Sequence, residues 1–160
     1  MRTCKFNYNC TCNDSYSEEH LGDCCMVPTV PSGNYLETVI LEQQDIAPFA
    51  AFLFQANAVS GGGAISHSPG SGTIHLLNPG AYLALFTAVP KEGQSASVMF
   101  AADGCPIRHT RVSSNGACAP LCLQTLLEVP CRHAASFSVI NAAEENLSLL
   151  EANLMIVKLQ

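Results

Sequence analysis

A chain of 160 residues is long enough for one domain that buries roughly 70% of its unfolded surface, so its core does not depend on cross-links. Only 12% of the residues are charged, against about 25% in ordinary soluble domains, and 48% are hydrophobic; a surface so poor in charge is expected to be covered by partners, which predicts an oligomer. Residues 1–45 carry Arg2 and Lys5 against seven acids, and residues 46–160 carry five basic against six acidic side chains, so neither part offers the basic stripe that nucleic acid requires.

The N-terminal stretch MRTCKFNYNCTCNDSYSEEHLGDCC contains no apolar core of about 7 to 15 residues behind a basic start, and is not read as a secretion signal. No run reaches the roughly 18 apolar residues of a membrane span, so membrane insertion is not expected. Cys4, Cys10, Cys12, Cys24 and Cys25 crowd this polar segment, whereas Cys105, Cys118, Cys122 and Cys131 fall among apolar strands. Thiols in such number belong to oxidising compartments. Without an export signal they are open to three readings: metal ligation, idle thiols in a reducing cytosol, or assembly inside a cell whose contents later meet air. The spacings C-x5-C, C-x-C and C-C do not match the paired C-x2-4-C of structural zinc sites, which disfavours metal. Adjacent Cys24 and Cys25 suit two different partners better than each other, since a vicinal bridge is strained. An odd total of nine leaves at least one bond outside the chain or one free thiol. Residues 1–35 are therefore read as a cysteine-rich connector arm, its five cysteines as candidates for bonds between subunits, and residues 36–160 as the folded domain. Pro28 and Pro31 fit a short extended hinge between them.

From Phe49 onward the text reads as strand after strand. FAAFLFQA, AISHS, TIHLL, AYLALFTA, SASVMFA, LCLQTLLEV, ASFSVI and NLMIVKL are short, and most are separated by Gly, Pro, Asn or Ser. In AYLALFTA both parities are apolar, which predicts a strand covered on both faces; SASVMFA alternates, which predicts one open face. Asn78-Pro79-Gly80, Lys91-Glu92-Gly93 and Ser114-Asn115-Gly116 are expected to form tight reversals. Eight to ten short strands at this spacing predict an all-β sandwich of the jelly-roll type. For the domain cysteines, Cys122 within LCLQTLL is read as a small buried hydrophobe or a candidate domain disulfide. Cys105, Cys118 and Cys131, beside Gly, Ala or Pro near strand ends, are candidates for loop-to-loop or intersubunit bridges.

The order of the pieces carries a resemblance. FAAFLFQA, a glycine-flanked AIS, GTIHLLNPGAYLALF, a strand ending in Asp-Gly and a closing NLMIVKL together resemble the C-terminal globular domain of the collagen-like glycoproteins of the bacterial exosporium, over about residues 46–160. That resemblance implies a jelly roll similar to complement C1q and tumour necrosis factor, and a trimer. The Gly-X-Y stalk of those glycoproteins is absent from this sequence. In its place stands the arm, similar in architecture to the N-terminal connector of spore appendage fibre subunits. The resemblance implies that such an arm docks into neighbouring copies and is cross-linked by disulfides. A spore-surface or extracellular location reached by lysis of the mother cell would reconcile the thiols with the missing signal.

Catalytic readings find little support. His67, His75, His109 and His133 form no H-x-H pair with a following Glu, as a cupin-like metal site would require, and are expected at surfaces or interfaces. Cys105 with His109 has no third orienting residue, Glu144 and Glu145 read as solvated turn residues, and no nucleotide, hydrolase or metalloprotease motif occurs. The expectation is a non-enzyme without cofactor or metal: a structural subunit that assembles with itself, as a trimer or a helical fibre, and with other coat or exosporium proteins. The competing reading is a trimeric C1q-like head that binds a ligand through loops such as Asp103–Arg111 or Ser113–Ala119.

Overall fold

Period-two patterns of apolar residues drive this chain into long strands that bury at least one face, while the short or peripheral β3, β8 and β9 bury none fully. The computed structural model describes residues 33–115, 120–130 and 133–159. Among these residues there are twelve strands and no α-helix: β1 (Tyr35–Ile40), β2 (Gln44–Ile46), β3 (Ala56–Gly61), β4 (Ile65–His67), β5 (Ile74–Leu76), β6 (Gly80–Pro90), β7 (Ser95–Ala102), β8 (Cys105–Pro106), β9 (Val112–Asn115), β10 (Leu121–Val129), β11 (Ala135–Asn141) and β12 (Leu147–Lys158), with a 3₁₀ turn at Arg108–Thr110. They form two sheets. Sheet A runs β10-β6-β12-β1-β3 with β2 beside β12; sheet B runs β4-β5-β11-β7-β8 with β9 beside β7. Every pairing is antiparallel, and the architecture is an all-β jelly-roll sandwich.

The core lies between the sheets. Tyr82, Ala84, Phe86 and Ala88 of β6 and Leu149, Leu154 and Ile156 of β12 face Ile74, Leu76, Val98, Phe100, Phe137 and Val139 of sheet B, all buried. Phe86 is the aromatic centre, 5.5 Å from the ring of Phe52 and 6.4 Å from that of Phe54. Phe100 and Phe137 stack across β7 and β11 at 5.0 Å.

The turns show how the strands are joined. Gly93, at φ +79, closes the reversal from β6 to β7, with the Gln94 amide donating to the Lys91 carbonyl at 3.2 Å. Asp103 and Gly104 both adopt positive φ, +49 and +71, the signature of a two-residue type I′ hairpin between β7 and β8. Asn78-Pro79-Gly80 leads into β6, where the Tyr82 hydroxyl donates to the Asn78 carbonyl at 2.6 Å. Ser114 and Asn115, expected in a reversal, instead pair in β9 with Ala96 and Ser95 of β7.

Three further strand expectations are corrected. FAAFLFQA is not one strand: Phe52 donates its amide to Val139 in sheet B, whereas Gln55 donates to Val39 in sheet A. The segment crosses between sheets, so its alternation reflects burial of Phe52 and Phe54 without a ladder of its own. β1 lies outside the strands expected from the sequence, yet it runs between β12 and β3, and Asn34 already accepts the Lys158 amide at 3.0 Å. Finally, the expectations for the two central strands are exchanged. β7, from SASVMFA, is buried on both faces from Ala96 to Ala102, while β6, from AYLALFTA, has one face closed and one half-open.

Candidate assembly surface and thiol positions

Strand register assembles the outer face of sheet A. Leu126, Leu83, Val157 and Tyr35 lie side by side across β10, β6, β12 and β1. The next row is Gln124, Leu85, Met155, Glu37 and Val59, and the third is Cys122, Thr87, Asn153 and Val39. The parity is opposite to that of the buried Tyr82, Ala84 and Phe86, so these side chains cannot reach the core. Leu126 is 68% exposed, and Tyr35, Val59 and Met155 are exposed as well. The Tyr35 ring lies over Gly61, where an added Cβ would stand 2.6 Å from the ring. Among these three rows polar groups lie in the second and third, Glu128 flanks the first beside Leu126, and one pair satisfies itself, Asn153 Nδ2 donating to Glu37 Oε1. The result is an apolar face, graded from fully apolar to polar, on the long strands of the sheet.

Cys122 stands at one edge of this face. It is a free, exposed thiol, not the buried hydrophobe or disulfide half expected for it, because its parity in β10 is that of Gln124 and Leu126. Cys105, in β8, is disulfide-bonded, and the other half of that bond lies outside the described residues. Cys4, Cys10, Cys12, Cys24, Cys25, Cys118 and Cys131 likewise lie outside them.

The histidines do not converge. Among the described residues no group of three His, Cys, Asp or Glu side chains is placed to hold a metal. His75, His109 and His133 are exposed, but His67 is buried, correcting the surface position expected for it. Its Nδ1 faces Asn57 Oδ1 at 2.6 Å and its Nε2 faces the Ser71 carbonyl at 3.0 Å, while its ring meets Phe54 edge-on at 6.2 Å. This imidazole ties β4 to β3 and to the turn before β5. Sequence reasoning missed it because its partners, Asn57 and Ser71, carry no motif.

Of the two loops considered for ligand binding, Asp103–Arg111 forms β8 and the 3₁₀ turn and lines a cavity beside β10. The other, Ser113–Ala119, begins as β9 and continues outside the described residues.

The fold is that of C1q and tumour-necrosis-factor domains. The chain is similar to the globular domain of zebrafish complement 1qA (11% identity, 79% of this chain and 98% of that one, TM-score 0.60) and to murine APRIL (12%, 79% and 98%, 0.60). It is also similar to vertex protein P5 of PRD1 (15%, 80% and 98%, 0.59). No protein-family model and no curated protein matches the sequence. At these identities the likeness establishes the C1q/TNF-like jelly roll and nothing finer.

Proposed function

We propose that this chain is a non-enzymatic structural subunit of a bacterial spore-surface assembly, whether exosporium, coat or appendage, that associates with its own copies through the outer face of sheet A. Disulfides from the cysteines of residues 1–35 then lock the contacts, two thiols yielding two protons and two electrons to an external oxidant such as dioxygen once the mother cell has lysed. The single observation that carries self-association is the Leu126, Leu83, Val157, Tyr35 row, apolar across four strands and open in the isolated chain. Burying each such side chain is worth about 1.5 to 3 kcal/mol, and a stable contact needs about 800 Å² per partner. The supply of apolar side chains on these strands suits that demand. Three-fold association is the form favoured by the likeness to C1q-type domains. The spore-surface assignment rests on the order of the strand segments and on the thiol-rich composition of residues 1–35.

The test is the full chain with Cys24→Ser and Cys25→Ser, compared with the unaltered chain on non-reducing gels and by negative-stain electron microscopy. The expected result is a folded domain whose assemblies lose covalent ladders and fall apart in denaturant. Unchanged, reductant-resistant polymers would defeat the cross-linking role. A soluble trimer indifferent to reductant in both proteins would favour the ligand-binding head instead.

A further inference from the structure

At one end of the sandwich β10 runs past the cover of sheet B. Thr125 and Leu127 share the inward parity of Leu121, Leu123 and Val129, yet those three are buried while Thr125 and Leu127 are only half-buried. The space they face is a cavity of about 340 Å³ between β10, the β7–β8 hairpin and the 3₁₀ turn. Leu76 and Phe137 form its floor, and Ile107 and Ala135 its sides. At ~30 Å³ per water-sized group, it has room for about eleven such groups.

The cavity lining carries charge of both signs, with Asp103 and Glu128 beside Arg108, His109 and His133. Arg108 and His109 stand there exposed, and among the described residues the Arg108 guanidinium makes no hydrogen bond or ion pair. Two carboxylates are near, but neither answers it. Asp103 Oδ1 already accepts from the Ser136 amide at 2.7 Å and from the Ser136 hydroxyl at 3.2 Å. Glu128 has the parity of Gln124 and Leu126 and so belongs to the outer face of β10. A chamber with an apolar floor and one guanidinium at its rim whose donors are unengaged is the arrangement that holds an apolar body by burial and a carboxylate by a charge-assisted, bidentate hydrogen bond.

We infer that this cavity binds a small organic anion, a carboxylate carried on an aromatic or short aliphatic body, with the body against Phe137, Leu76 and Leu127 and the carboxylate at Arg108. The site is on the inner side of β10, separate from the assembly face on its outer side, and stands or falls independently of self-association.

The test uses the full chain and two probes of one shape, 4-phenylbutyrate and its neutral counterpart 4-phenylbutanol, followed by methyl NMR and calorimetry. The acid is expected to give saturable shifts at Leu76, Ile107 and Leu127 with a dissociation constant of about 0.1 to 1 mM, the range such a small ligand reaches. The alcohol, and the acid with Arg108→Gln, should bind about tenfold more weakly. Ala135→Phe should fill the chamber and abolish binding. Should that variant fail to fold, Arg108→Gln, an exposed position, still decides the matter. No saturable shift with the acid, equal affinity for acid and alcohol, or indifference to Arg108→Gln would each overturn the assignment.

Discussion

The outer faces of the two sheets are built from similar residues and end differently. On sheet B, Met99 and Ala101 of β7 and Ile140 of β11, with Ala142 just beyond, form a small cluster of their own, buried because the chain from Ala47 to Ala51 folds back over them. Asn141 fastens that cover. Its backbone accepts the Phe49 amide at 2.9 Å and donates to Ala50 at 3.0 Å, and its side-chain amide donates to Ile46 and Ala47 carbonyls at 3.0 and 3.3 Å. On sheet A no segment among the described residues plays this part, and Leu83, Leu85, Leu126 and Met155 stay half or fully open. A sandwich has four faces to satisfy. The described residues cover three of them and leave the fourth open.

Breaking the fourth face should have the largest effect. Leu83→Glu together with Leu126→Glu places charges in the apolar row. The expected outcome is loss of the assembly to monomers in analytical ultracentrifugation, with the strand-type circular dichroism kept. Ile140→Ala on sheet B should do the reverse, lowering unfolding free energy by about 2 to 4 kcal/mol in urea titrations while the assembled mass stays constant. Asn141→Ala is milder in chemistry but strips the fastener from the cover, leaving the buried Ile46 carbonyl and the part-buried carbonyls of Ala47 and Glu145 without that donor. A loss of about 1 to 3 kcal/mol is expected, together with increased binding of a hydrophobic dye as the sheet B face is uncovered. If Asn141→Ala instead dissociated the assembly, the division of labour between the two faces would be wrong.

These faces explain what was legible in the sequence. β4 to β7 and β10 to β12 announce themselves through apolar alternation and glycine punctuation, whereas the short β8 and β9 do not, and the jelly roll follows from the number and order of the longer strands. The doubly apolar pattern of AYLALFTA was legible too; what the residues alone do not say is that no second cover lies over it among the described residues. SASVMFA misleads in the opposite direction, because Ser97 and Met99 look like solvent-facing residues. Arg111 Nε donates to Ser97 Oγ at 2.8 Å and Ser113 adds a bond at 3.0 Å, so a polar side chain is satisfied under cover. Phe49–Gln55 misleads because burial alternates while the hydrogen-bond partners change sheet. Cys122 is decided by parity, one residue's shift separating a core position from an exposed thiol.

The inner face of sheet A supplies a smaller and sharper test, at the buried phenol of Tyr82. Tyr82 is wholly buried beneath the apolar outer row, and burial raises its phenol above the ordinary value, partly opposed by the backbone of Asn78. In the unfolded chain the phenol ionises near pH 10, whereas in the folded chain it stays neutral to higher pH. Above about pH 10 the unfolded state therefore binds fewer protons, and stability must fall as pH rises toward the folded value. Tyr82→Phe should cost about 1 kcal/mol at neutral pH through the lost hydrogen bond and, compared with the unaltered chain across pH 8 to 11.5, should show a shallower alkaline decline in unfolding free energy. Equal slopes in the two proteins would mean that the phenol is not held neutral inside sheet A, and that the inner face of β6 is more accessible to water than its closed geometry implies.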